Sequence, residues 1–111
     1  MVARNKLLTA PPYAVEQALK RLGANLRTAR LRRNLTIEQT AEKIGTGPRA
    51  VMEAEKGKAS TGVAVYTALL WLYDLLRPFD DLADPATDKE GLARKPSKER
   101  ARKSGELDSD F

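Results

Sequence analysis

The stretch Gly45-Thr46-Gly47-Pro48 constrains this 111-residue chain more than any other. It breaks one helix and restarts another almost at once. Gly45 stands where a tight turn needs a positive φ. Pro48 suits the first position of a new helix, where its missing N–H is harmless, with Gly47 as the N-cap. Before the break, Thr36 and Gln39 form a capping box that opens a helix at Ile37 and carries it to about Ile44. After the break, Gly57 stops the second helix near Lys56. Small Ala41 falls where these two helices cross closest. Val51 is the apolar anchor of the second, and Leu35 and Ile44 complete the packing.

The flanking segments are helical too. Val15, Leu19, Leu22 and Leu26 recur at steps of four, three and four, one stripe of a helix over 12–33. Gly23 lies inside it and weakens it slightly. Asn34 tolerates the left-handed backbone that ends many helices. Ser60-Thr61-Gly62 opens a further helix, apolar nearly all round, to about Leu76. Pro78 ends or kinks it. Phe79 and Leu82 fit one more short turn. Aromatics are only 5% of the chain, so the core must come from Leu, Ala, Val and Ile, which favours helices over strands. The expected class is all-α. The expected organisation is a flexible N-terminus over 1–11, one helical domain over 12–84, and a flexible tail over 85–111. The tail is basic over 94–103, with six Lys and Arg, and then acidic.

Composition removes most chemistries. There is no Cys and no His. Disulfide scaffolds, Cys/His zinc sites, iron–sulfur clusters and thiol nucleophiles are excluded, as are histidine acid–base catalysis and Ser-His-Asp triads. No glycine-rich phosphate loop gives the carboxylates a task. These absences argue against an enzyme, and no cofactor or metal is implied. The net charge of +5 is unevenly spread: +7 over 1–60, −4 over 61–88 and +2 over 89–111. A basic N-terminal half suits a polyanionic partner. Met1 to Pro12 holds no apolar run of a secretory signal. Gly62 to Tyr73, the most apolar stretch, is shorter than the ~18 residues that span a bilayer. The expectation is a soluble, cytoplasmic, nucleoid-associated protein without membrane contact.

Two short helices joined by a glycine-containing turn make a helix-turn-helix pattern. Leu22 to Gly57 resembles the Cro/C1-type (XRE) helix-turn-helix family, on Leu26, Arg30, Leu35, Thr36, Ala41, Ile44, Gly45, Val51, Glu55 and Gly57. The resemblance covers about residues 22–76 and implies a lambda-repressor-like bundle of about five helices with a mobile C-terminal tail. Further pieces resemble the HipB-like antitoxins of HipA-type kinase toxin–antitoxin operons. These are Thr9 to Tyr13, Leu22 to Arg30, Leu75-Leu76 through Asp84-Pro85, Asp88, and Gly91-Leu92-Ala93. That likeness implies a dimer that represses its own operon and binds a kinase-like toxin.

The resemblance also implies roles. Arg30 and Glu55 match a family ion pair that ties the first long helix to the end of the recognition helix. That recognition helix begins at Gly47 and Pro48 and offers Arg49, Ala50, Met52, Glu53 and Lys56 outward. Arg49 is the best base reader, by bidentate contact with guanine, with a phosphate contact as the alternative. Glu53 either accepts from a cytosine amino group or pairs with Arg49 four residues before it. Met52 or Ala50 is placed to touch a thymine methyl. Thr36 and the helix start behind it suit a phosphate. Lys43, Lys56 and Lys58 are further phosphate candidates.

The family pattern is departed from at two places. Ile37 stands where the family often has Gln, leaving Gln39 to substitute. Pro48 offers neither an amide donor nor a polar side chain, so more readout falls to DNA shape. Trp71, Leu75, Leu76, Phe79 and Leu82 exceed one small core's needs and are expected at a two-fold homodimer interface, unless Phe79 folds back as core. The basic run 94–103 and the end Leu107 to Phe111 are candidate contacts to phosphates or a protein. The resulting reading is a repressor on double-stranded operator DNA. Its rivals are a protein-interaction module and a non-specific nucleic-acid binder.

Overall fold

Four helices of eight residues or more carry the fold, and local chemistry sets their ends. The computed structural model describes residues 5–94. These are all-α, with no strand among them: α1 (Lys6–Thr9), α2 (Tyr13–Arg32), α3 (Ile37–Ile44), α4 (Pro48–Glu55), α5 (Val63–Leu72), α6 (Arg77–Asp80), a 3-10 turn at Pro85–Thr87, and α7 (Lys89–Leu92). The chain divides into two compact units, Met1–Phe79 and Asp80–Phe111.

The four longer helices stop in the same way. The first or second residue past each end takes left-handed backbone: Asn34 (φ 55°), Gly45 (80°), Gly57 (70°) and Asp74 (61°). The next amide then reaches back five residues to an open carbonyl. Leu35 donates to Arg30 at 3.3 Å, Thr46 to Ala41 at 2.9 Å, Lys58 to Glu53 at 3.1 Å and Leu75 to Leu70 at 2.8 Å. This pairing satisfies carbonyls that a helix end leaves free.

Asp74 corrects the sequence reading of the last long helix. That helix ends at Leu72 rather than near Leu76, and Pro78 neither ends nor kinks it. Pro78 instead lies in the first turn of α6, where a missing N–H is harmless. Aspartate is one of the few residues with a side chain that visits left-handed backbone, so the apolar run conceals the break.

The core of the first unit joins α2, α3, α4 and α5. Leu26, Ala29, Ala41, Val51, Ala54, Tyr66, Leu69 and Tyr73 are buried, with Leu19, Leu22, Leu35, Ile37 and Ile44 packed against them. Val15, placed in the apolar stripe of α2, is exposed. Two core members are tyrosines, which the aliphatic expectation omits. Tyr66 Oη donates to the Lys58 carbonyl at 2.9 Å, fixing the loop after α4. Tyr73 Oη and Thr40 Oγ1 are buried and find no hydrogen-bond partner among the described residues. Burial pushes both phenols above their ordinary value near 10, against smaller opposing effects of Thr61 on Tyr66 and Thr40 on Tyr73.

Gly23 explains how α2 meets α4. It is buried, and a Cβ there would lie 2.6 Å from the carbonyl oxygens of Ala54 and Glu55. Gly57 makes the reciprocal approach, since a Cβ on it would strike the Leu19 carbonyl. The end of α4 therefore sits directly on the backbone of α2. A helical glycine that looked like a mild defect is the point of closest packing.

Local structure extends into both segments expected to be flexible. In the first, Asn5 caps the single turn α1 through its side chain at 2.9 Å from the Leu7 amide. In the second unit, Asp84 caps the 3-10 turn through the Ala86 amide at 2.9 Å, and Asp88 caps α7 through the Gly91 amide at 3.0 Å. Residues 1–4 and 95–111 lie outside the described residues. They include most of the basic run 94–103 and all of Leu107 to Phe111.

Candidate nucleic-acid interface

The candidate interface starts from the opening of α3. Thr36 Oγ1 accepts from the Gln39 amide at 3.0 Å, and Gln39 Oε1 accepts from the Thr36 amide at 2.9 Å. This reciprocal box spends the carbonyl oxygen of Gln39 on capping and leaves its amide group as a donor. Both side chains are exposed at the end where helix amides and the macrodipole favour an anion. Ile37 packs against the core instead.

The turn places α4 across α3. Gly45, at φ 80°, has open space where a Cβ would stand, so backbone conformation alone calls for glycine there. Gly47 caps α4 without a side chain, and Pro48 takes its first position. Val51 and Ala54 are fully buried and fix which face of α4 turns inward, with Ala41 of α3 buried beside them. Arg49, Met52, Glu53, Lys56 and Lys58 then line one shallow surface groove. Arg49 projects into solvent, its side chain 90% exposed, and its Nε lies 3.3 Å from Glu53 Oε2. Ala50 is half-buried at the edge of this face. Lys43, at the last turn of α3, is exposed, as are Gly47 and Pro48. None of Lys43, Gly47, Pro48, Thr36 and Gln39 lines the groove.

Behind the groove lies a buried ion pair. Arg30 Nε donates to Glu55 Oε2 at 2.6 Å and Arg30 Nη2 to Glu55 Oε1 at 3.0 Å. The remaining Nη1 donates to the Leu35 carbonyl at 2.8 Å. Both side chains are less than a tenth exposed. The hydrogen bonds to Glu55 raise the Arg30 pKa above its ordinary value, against the opposing effect of burial. One guanidinium thus holds the end of α2, the entry to α3 and the end of α4.

Arg33 makes a second clamp that the sequence did not reveal. Its Nη1 donates to the Ala29 carbonyl and its Nη2 to the Tyr73 carbonyl, each at 2.9 Å. Its guanidinium lies 5.3 Å from the centre of the Tyr73 ring, within cation–π range. No periodicity marks a surface arginine for such a role. Gly23 did carry a signal, because an isolated glycine inside a helix commonly has a packing reason.

The apolar residues assigned to an interface are mostly exposed. Trp71, Leu75 and Phe79 of the first unit and Leu82 of the second are open, and Leu76 is half-buried. Phe79 does not fold back into the core. Among the described residues no helix is long and apolar enough to cross a membrane.

Comparison with known proteins places these elements in one frame. No curated protein matches the chain, and no solved structure does. A family model described as a helix-turn-helix domain matches residues 21–82, more than half of the chain. That span holds the Arg30–Glu55 clamp, the Thr36 capping box, the Gly45 turn and the outward face of α4. By the matched span and by the packing of α3 on α4, the chain belongs to the helix-turn-helix domain family.

Proposed function

We propose that the protein is a sequence-specific DNA-binding transcriptional repressor that works as a homodimer. The observation that carries this reading is the outward face of α4. With Val51 and Ala54 fixed inward, Arg49, Met52 and Lys56 are turned to solvent in one groove, as a helix entering the major groove requires. Arg49 reads a base edge. Thr36, Gln39, Lys43, Lys56 and Lys58 hold phosphates on either side and set the register. Gly47, Pro48 and Ala50 let the helix start approach the duplex closely, and Met52 meets an apolar base edge. Repression is by occlusion, and no step of it calls for catalysis.

A second copy would pack on the exposed Trp71, Leu75 and Phe79 and on Leu76 of the first unit, and Leu82 of the second unit is a separate candidate contact. Two recognition helices about 34–36 Å apart would then match a palindromic site. The resemblance to Cro/C1-type regulators supports this arrangement. The further resemblance to HipB-like antitoxins supports a finer role, in which the repressor controls its own operon and holds a HipA-like kinase toxin on the operator.

The test is fluorescence anisotropy at about 0.15 M salt, comparing the DNA upstream of the gene with a scrambled duplex of equal length. A preference of about 10³-fold or more is expected of a specific regulator. Equal and weak binding to both would overturn the reading in favour of a non-specific binder or an interaction module.

A further inference from the structure

We infer that Glu53 is a positioning residue for Arg49, and that the pair rather than the arginine alone sets a preference for guanine at one position of each half-site. This rests on the reading of α4 as a base-reading helix. Arg49 and Glu53 stand four residues apart on the outward side of α4, with Nε 3.3 Å from Oε2. The carboxylate is the anchored member, 28% exposed, and the guanidinium is the projecting one, 90% exposed. Holding Nε leaves Nη1 and Nη2 free as two parallel donors. Those are the donors that match the O6 and N7 acceptors of guanine.

Stability gives no reason for this arrangement. Arg49 stands in the first turn of α4 and Glu53 towards its end, where the helix dipole favours the opposite order of charges. An acid C-terminal to its base is also the weaker orientation for a helical pair. The rest of the first turn, Pro48, Ala50 and Val51, carries no polar side chain, so Arg49 is its sole polar base reader. An untethered arginine so exposed would lose rotamer freedom on docking, and a tether removes part of that loss beforehand. Glu53 is also the one acid lining a groove with Arg49, Lys56 and Lys58. Its charge weakens attraction to any duplex, and only where the held guanidinium meets its base is that loss offset.

The experiment selects a preferred duplex from a random pool with the wild-type chain. Affinities of Arg49→Ala, Glu53→Ala and Glu53→Gln are then measured on that duplex, on its single-base variants and on a scrambled duplex. Arg49→Ala identifies the base pair it reads. Glu53→Ala should lower the preference at that same pair by about tenfold, raise affinity for the scrambled duplex, and not lower the melting temperature. Glu53→Gln, whose amide oxygen still accepts from Nε, should restore most of the preference. The inference falls if Arg49→Ala relaxes a position that Glu53→Ala leaves intact. It falls too if Glu53→Ala relaxes a different position, the mark of direct contact with a base. If the wild type selects no sequence, or Arg49→Ala relaxes none, the base-reading role of α4 fails and this inference with it.

Discussion

Replacing Gly23 with alanine should destabilise the protein, although helix propensity alone says the opposite. Inside a helix, alanine is favoured over glycine by roughly 1 kcal/mol, because glycine loses more backbone freedom on folding. Packing opposes that gain. A Cβ at Gly23 meets the carbonyl oxygens of Ala54 and Glu55 at 2.6 Å and the Gly57 amide nitrogen at 2.7 Å. Ordinary contact begins at 3.4 Å, so α2 and α4 must part by roughly 0.8 Å to accept one methyl group. All three neighbours are backbone atoms, and none can swing aside as a side-chain tip would. Overpacking of this kind costs about 1–3 kcal/mol, and the rigid neighbours place it at the upper end. The net loss is then about 2 kcal/mol, a fall in Tm on the order of 10 °C for a domain of this size.

Urea denaturation followed by far-ultraviolet circular dichroism and by Trp71 fluorescence measures this directly. Ala24→Gly, at the exposed neighbouring position in α2, calibrates propensity alone and should cost about 1 kcal/mol. A Gly23→Ala variant more stable than wild type by that same amount would show that α2 and α4 do not approach as described.

The buried clamp predicts a larger effect. Glu55→Ala strands the Arg30 guanidinium and should cost about 3–5 kcal/mol in urea titrations, whereas Arg30→Met with Glu55→Leu should recover much of the loss. A single variant within 1 kcal/mol of wild type would refute the clamp. Asp74→Gly relieves left-handed backbone at φ 61° and should raise stability by about 0.5–1 kcal/mol, the part of the strain that glycine's own entropy leaves; a lower Tm would contradict this. The tyrosines predict a pH response. Their phenols are raised in the folded state, so the unfolded chain releases its protons first. Stability is then fully present below about pH 10 and falls as pH rises beyond it. Tyr73→Phe should flatten that fall, because it removes one of the two raised phenols. An alkaline limb as steep as in wild type would exclude Tyr73 as its source.

What could be read from the sequence, and what could not, divides along a physical line. The capping box of Thr36 and Gln39, the left-handed residues Asn34, Gly45 and Gly57, and the start at Pro48 are decided within a few residues of chain, and their chemistry is visible there. Val51 and Ala54 follow from helical period once those ends are known. Residues decided by distant neighbours were misread or missed. Gly23 depends on α4, more than thirty positions away. Arg33 depends on Tyr73, forty positions away. Tyr66 enters the core with its hydroxyl on the Lys58 carbonyl, and Tyr73 with Arg33 over its ring face, neither of which adjoins it in sequence. Asp74 belongs to the first group by mechanism but escaped it, because an apolar run on both sides outweighed one residue able to take positive φ.

The outward face of α4 is a case apart. Period and burial decide which residues point away from the core, so Arg49, Met52 and Lys56 were legible as a surface. What such a surface does depends on charges that the fold does not need. Arg49 and Glu53 sit in the order that the helix dipole disfavours, on a helix with no basic residue in its last turn and no acid in its first. A sequence shaped by stability alone would reverse them. A placement that the helix dipole disfavours, with its arginine 90% exposed, is what the proposed encounter with a base would account for. The tether to Glu53, rather than charge, sets Arg49 apart from Lys43, Lys56 and Lys58. In the proposed reading the lysines would serve any polyanion equally, and only a tethered fork of donors would have reason to prefer one base over another.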